Sequence, residues 1–220
     1  MKKRILSLAI SAALVLTMLP AGALAAGDKG TPPVYNKATG CYEISTPDQL
    51  LYLSGSWKDG APRDGHYVLT ADIDMSGVKG FKPIASKKDK GFIGTFDGQF
   101  HAIKGLRVEY EKKYAGLFGY VGNQDDQAYI KDVALLDCYV TGQQNVGALA
   151  GVNYGTITGC VVTGEVKCLD LSNSHTAGGI CGKLKEGEGP IVGHVEDCYV
   201  NADVSAPYDA GGVAGIQDGG

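Results

Sequence analysis

A glycine block recurs four times along this 220-residue chain: AGLFGYV at 115–121, VGALAG at 146–151, AGGICG at 177–182 and AGGVAG at 210–215. Its first glycines, Gly116, Gly147, Gly178 and Gly211, lie 31, 31 and 33 residues apart. Near-constant spacing in that range marks a stacked array, where one unit hides its apolar face only against its neighbours. Glycine contributes 33 residues, about twice ordinary usage, and no collagen triplet or Gly/Ser linker accounts for them. They sit at repeat positions, so the demand is geometric: left-handed backbone or close packing where the chain turns.

A second block follows the first. Asp137-Cys138-Tyr139-Val140 returns as Asp197-Cys198-Tyr199-Val200, with Gly159-Cys160-Val161-Val162 between them. Aligned on cysteine, Ile157 and Val195 fall three residues earlier, with Leu135 in the matching place, and Val166 and Val204 fall six later. Cys and Val two apart share one side of a strand, and Tyr139 and Tyr199 point to the other from equivalent places. No helical period runs through 115–215. Length varies between the blocks, at 152–156 and at the polar stretch 183–194, as loops allow. Two or three short strands per 31 residues fit a coil of parallel strands spaced about 4.8 Å apart. A propeller blade needs about 40 residues and four antiparallel strands. The expected fold is all-β, a parallel β-helix.

Upstream, Thr46-Pro47-Asp48-Gln49 is a helix start, with Thr as N-cap, Pro in the first turn and Gln three after the cap. Leu50, Leu51 and Leu53 give one apolar side and Gly55 a stop. A short helix here would cap the open end of the first rung. Tyr67 to Met75 alternates apolar and polar like one half-buried strand, and Asp97-Gly98 marks a tight turn.

ADIDMSG at 71–77, FKPI at 81–84, FIGTFDGQFHAIKGL at 92–106 and AGLFGYV at 115–121, followed by VGALAGVNYGTITGC and AGGICG, resemble bacterial GLUG-motif proteins. The resemblance runs from Tyr42 to the C-terminus. It implies a right-handed parallel β-helix on secreted or surface-attached, often adhesin-like proteins. It also implies kinship with a region of some IgA-specific zinc metallopeptidases that is separate from their catalytic domain. It carries over no catalytic residue. This chain departs from the pattern in its cysteines and in Phe100, where glycine is usual. The resulting division is 1–25 signal peptide, 26–41 N-terminal extension, 42–114 capping helix and first strands, and 115–220 repeats.

Lys2, Lys3 and Arg4, the apolar run Ile5–Leu19, and Ala23-Leu24-Ala25 read as a secretory signal cleaved between Ala25 and Ala26. The run is short for a membrane span, and no span is expected once it is removed. Cleavage would remove three basic and no acidic residues, taking the formal charge from −4 to −7. No basic, aromatic-interleaved patch is present, which argues against a nucleic-acid partner. The last glycine block stands five residues before Gly220 with no strand block after it, so a longer protein is expected.

Six cysteines in a secreted chain invite disulfides. Three sit at repeat positions, so a buried ladder of free thiols is the expectation, with Cys168 and Cys181 the pair to bond if any do. His175, Cys181, His194 and Cys198 lack the tight spacing of a zinc clip, and no His-Glu-x-x-His occurs. Asp72, Asp74, Asp125 and Asp126 read as turn caps or solvated faces before they read as sugar-cleaving or calcium-binding carboxylates. No catalytic residue, metal or cofactor is assigned, and no oligomeric state. Tyr139 and Tyr199 are the candidate ligand-facing aromatics. The expected function is a secreted or cell-surface structural or adhesive protein, non-catalytic in this region, with a host or cell-wall glycan or protein as partner. The alternatives are the non-catalytic N-terminal region of a secreted zinc metallopeptidase, or a carbohydrate-active β-helix.

Overall fold

Four glycine blocks stack on one another because parallel strands bring them into register. Ala115, Val146, Ala177 and Ala210 pair in sequence, as do Gly147, Gly178 and Gly211. The computed structural model describes residues 30–55, 61–171, 175–187 and 191–218, so the cleavage site at Ala25 and Ala26 lies outside the described residues.

The chain is all-β apart from short helices. It opens with β1 (Val34–Asn36) antiparallel to β2 (Cys41–Ile44), then α1 (Pro47–Leu53), β3 (His66–Leu69) and β4 (Ile73–Asp74). Four passes follow, each crossing three sheets. The first holds β5 (Thr95–Asp97), β6 (Ala102–Lys104), β7 (Arg107–Ala115) and β8 (Phe118–Val121). The second holds β9 (Tyr129–Lys131), β10 (Ala134–Gly147) and β11 (Ala150–Asn153). The third holds β12 (Thr156–Thr158), β13 (Val161–Cys168), β14 (Thr176–Gly178) and β15 (Cys181–Lys185). The fourth holds β16 (His194–Glu196), β17 (Tyr199–Ser205), β18 (Asp209–Gly211) and β19 (Ala214–Asp218). The first sheet runs β1-β2-β3-β5-β9-β12-β16. The second gathers β4, β6, β7, β10, β13, β14, β17 and β18, and the third runs β8-β11-β15-β19. Every pair of named strands except β1 with β2 is parallel.

Stacking sorts the interior into columns. In the first sheet Tyr67, Phe96, Ile130, Ile157 and Val195 lie one above another. In the second, Val108, Val140, Val166 and Val204 do the same, and in the third, Phe118, Ala150, Cys181 and Ala214. Side chains shrink along the first column, and the third passes from Phe118 to small residues. The aromatic end is tied together by Phe92 stacked on Phe118 at 5.1 Å and by Phe96 edge-on to Phe118 at 5.4 Å. Burying each such side chain contributes about 1.5–3 kcal/mol. The helix supplies Leu50, Leu51 and Leu53 to the same core. Thr46 caps it by accepting the Gln49 N–H, and the Gln49 side chain reaches back to the Ser45 N–H at 2.8 Å.

Several expectations need correcting. The Tyr67–Met75 alternation is two strands in different sheets, broken by a corner at 70–72. Asp97-Gly98 likewise opens a corner and not a hairpin, with Gln99 and Phe100 both left-handed (φ 47 and 63). The first glycine of each repeat has ordinary φ. Its role is close approach: a Cβ on Gly147 would overlap the Ala150 carbonyl oxygen and lie 2.5 Å from Cys181 Cα. The stretch 183–194 begins as strand, bridges Glu186 to Val192, and packs Ile191 on Tyr120, Val152 and Tyr154.

The three-cysteine ladder also fails at one position. Cys160 and Cys198 stand opposite each other, since Thr158 pairs with Glu196 and Val161 with Tyr199. Cys138 instead faces Gly164, and Leu135 stacks with Val162, not with Ile157. Cys138 simply lies further along its pass, since Ala134 already pairs with Val161. A one-residue bulge in β10 between Leu135 and Cys138, where Asp137 is left-handed at φ 52 and its N–H donates to Thr163 Oγ1, then sets Cys138 against Gly164. Asp132, Gly159 and Asp197 are the true equivalents. All are left-handed (φ 55, 63 and 51) and all turn the chain from first sheet to second.

Candidate binding surface

Alternation in Arg107-Val108-Glu109 and Glu165-Val166-Lys167 sends the valines inward and the charges outward from the second sheet. Parallel register then builds rows across the strands. Arg107, Tyr139, Glu165 and Asp203 form one, and Glu109, Thr141, Lys167 and Ser205 the next. The Arg107 guanidinium carbon lies 4.2 Å from the Tyr139 ring centre. Its Nη2 donates to Glu109 Oε1 at 2.8 Å, and Lys167 donates to Glu165. These pairs hold Arg107 and Lys167 above, and Glu109 below, their ordinary pKa ranges, each through the partner's hydrogen bond first. The face is therefore a lattice of side chains of both signs around one half-buried tyrosine.

Tyr199 does not share that row. It pairs with Val161, four residues before Glu165, and continues a smaller row of Ala102 and Ala134. It is 61% exposed on the last pass, whereas Tyr139 is half-buried. The two tyrosines are thus not equivalent. Tyr139 lies further along its pass, and the bulge at Asp137 moves it by one residue to face Glu165. Arg107, Glu165 and Lys167, which flank Tyr139, were not singled out in the sequence, although charged–apolar alternation was the signal for them.

Beside these rows a groove of about 540 Å³ is lined by Glu109, Tyr110, Glu111, Thr141, Gln143 and Asp170. A second, of about 780 Å³, shares Glu109, Tyr110 and Glu111 and adds Lys82, Lys87 and Lys112. Tyr110 thus stands between an acidic and a basic trough.

The other candidates are dispersed. Asp72 accepts the Ala102 N–H at 2.9 Å and faces His101 at 3.3 Å and Lys104 at 3.6 Å. Asp74 accepts the Ser76 N–H, and Asp125 and Asp126 donate their N–H groups to Asn123 Oδ1. Hydrogen bonding, from Ala102 to Asp72 and from Ser76 to Asp74, holds both of these carboxyls below the usual range. His175 pairs with Asp170 at 3.5 Å, and His194 starts β16 on the surface. Among the described residues no three His, Cys, Asp or Glu side chains converge as metal ligands. All six cysteines are free thiols, and Cys41 Sγ lies 3.6 Å from His66 Nδ1, a contact the sequence did not announce. Among the described residues no helix is long and apolar enough to cross a membrane.

No protein-family model matches the chain. A 143-residue stretch, 58% of the chain, is 34% identical to 2% of a halomucin from Haloquadratum walsbyi. A 101-residue stretch, 42% of the chain, is 32% identical to 11% of a candidate Gly-rich membrane protein from Evansella cellulosilytica. The chain thus spans only a small part of these relatives. Among solved structures, 87% of the chain superposes on 55% of a candidate immunoglobulin A1 protease from Bacteroides ovatus, with TM-score 0.68 and 26% identity.

Proposed function

We propose that the chain is a secreted or cell-surface, non-catalytic GLUG-type module, a right-handed parallel β-helix that presents the outer face of its second sheet to a glycan or protein. The helical reading is supported by four passes that visit three sheets in turn with parallel register throughout. The observation that carries the binding reading is the row Arg107–Tyr139–Glu165–Asp203, where one aromatic and three charged groups stand at strand spacing on one face. Such a surface can stack a sugar ring or pack a partner while pairing its polar groups. Likeness to stretches of a halomucin and of a candidate Gly-rich membrane protein agrees with an extracellular setting.

The likeness to a candidate immunoglobulin A1 protease favours one further reading, that this module is a non-catalytic region of a larger secreted enzyme. The two readings are compatible, since either leaves the module as scaffold and docking face.

The test is a pull-down of residues 26–220 on mucin, bacterial cell wall and host-glycan beads, beside the Tyr139→Ala variant. Retention on at least one matrix, falling about tenfold in the folded variant, is the expected result for loss of one aromatic anchor. No retention on any matrix, or release of sugar fragments from one of them, would overturn the proposal.

A further inference from the structure

The corner between first and second sheets holds a cysteine pair that the binding face does not use. Cys160 lies between β12 and β13 and Cys198 between β16 and β17, with in-register strand pairs on both sides of them. The Tyr199 N–H donates to the Cys160 carbonyl at 2.8 Å, which fixes the two passes at that point. Residues opposite one another on adjacent parallel strands stand about 4.8 Å apart, inside the roughly 4.4–6.8 Å Cα separation a disulfide spans. The Cys160 thiol donates to the Thr158 carbonyl at 3.2 Å and the Cys198 thiol to the Ile157 carbonyl at 3.7 Å, so both sulfurs sit at the same corner. Among the described residues no other cysteine has a cysteine opposite it. Cys138 faces Gly164, Cys168 faces Gly142, Cys181 faces Ala150 and Ala214, and Cys41 faces Asn36.

We propose that Cys160 and Cys198 are an oxidisable dithiol that closes a disulfide between the third and fourth passes. The oxidant is an external disulfide, R–S–S–R. Cys198, partly open to solvent, attacks first as thiolate. Its sulfur bonds to one sulfur of the oxidant, the oxidant's S–S bond breaks, and R–S⁻ leaves and takes up a proton. Cys160 then gives its proton to solvent and attacks Cys198 Sγ, expelling the second R–S⁻. Two protein thiols lose two electrons, and one external disulfide becomes two thiols.

The order follows from the surroundings. The neighbouring Cys160 side chain draws the Cys198 thiol down to about 7, which favours its thiolate as the attacking group. The Cys198 side chain beside it, together with full burial, pushes the Cys160 thiol up. Burial pushes Cys138 and Cys181 up to about 12, which leaves them inert. The bond would tie the last pass, whose inward side chains are only partly buried, to a fully buried neighbour.

The experiment exposes the folded, fully reduced chain to oxidised glutathione near neutral pH, then maps its peptides. Loss of two of the six thiols, with Cys160 and Cys198 recovered in one linked pair, is the expected result. Cys160→Ser should leave glutathione stably attached at Cys198, and Cys198→Ser should leave Cys160 unreacted. Retention of all six thiols, a lasting glutathione adduct in the unmodified chain, or linkage of another pair such as Cys168 with Cys181 would overturn the proposal.

Discussion

Phe100 carries two costs together. Its backbone is left-handed at φ 63, and its ring is 81% exposed. Left-handed backbone costs a residue with a Cβ about 1–2 kcal/mol, which glycine avoids. Glycine's looser unfolded chain returns about 0.4–1 kcal/mol of that. The Phe100 N–H donates to the Asp132 carbonyl at 2.9 Å, a bond glycine would keep. Phe100→Gly should therefore raise stability by about 0.5–1 kcal/mol, read as a higher urea midpoint with unchanged slope. A lower midpoint would mean that the ring contributes more than its exposure allows. The same backbone demand is met at Asp132, Gly159 and Asp197 by the residue types that best tolerate it.

At the scale of strands, glycines divide by what lies above them. Gly147 sits under the backbone of the next pass, whereas a Cβ on Gly212 meets nothing within 4 Å. Gly147→Ala should cost about 3 kcal/mol or more, because backbone and not a flexible side chain must move. Gly212→Ala should be neutral or stabilise by up to about 1 kcal/mol through the unfolded state. Thermal melts of the two variants check the contrast, and equal effects would mean that the blocks are not held by close approach. The blocks were legible in sequence because contact between neighbouring backbones leaves only glycine. The helix was legible because Thr46, Pro47 and Gln49 each answer an unpaired group at its first turn. Register was not. Asp-Cys-Tyr-Val at 137–140 and 197–200 places its aspartate in one local conformation, φ 52 and φ 51, but the first is a bulge within the second sheet and the second a corner between sheets. Local sequence specifies the backbone angle, and only stacking against β13 decides which strand position it serves. The stacking of Cys160 on Cys198 was legible from the blocks around them, with Ile157 and Val195 each three residues earlier, whereas the row around Tyr139 depended on that bulge.

Across the whole molecule, burial grades from one end to the other. The valine column in the second sheet shows it within one chemistry: Val108, Val140 and Val166 are fully buried, while Val204 is only partly covered. In an array each pass gains most of its stability from its neighbours, and among the described residues the fourth pass pairs with the third alone. Val166→Ala opens a cavity between two passes and should cost about 2–3 kcal/mol, lowering the midpoint of the whole chain. Val204→Ala should cost less than about 1 kcal/mol, since its site already meets water and can relax. Hydrogen exchange separates the two effects. Amides of β17 and β19 should exchange faster than those of β10 and β13 in the unmodified chain, and Val204→Ala should widen that gap without touching β10. Val166→Ala should instead speed exchange in β10, β13 and β17 together, because the pass it weakens supports both neighbours. Uniform protection from β8 to β19, unchanged in pattern by either variant, would mean that the passes melt as one unit and that the fourth is no weaker than the third.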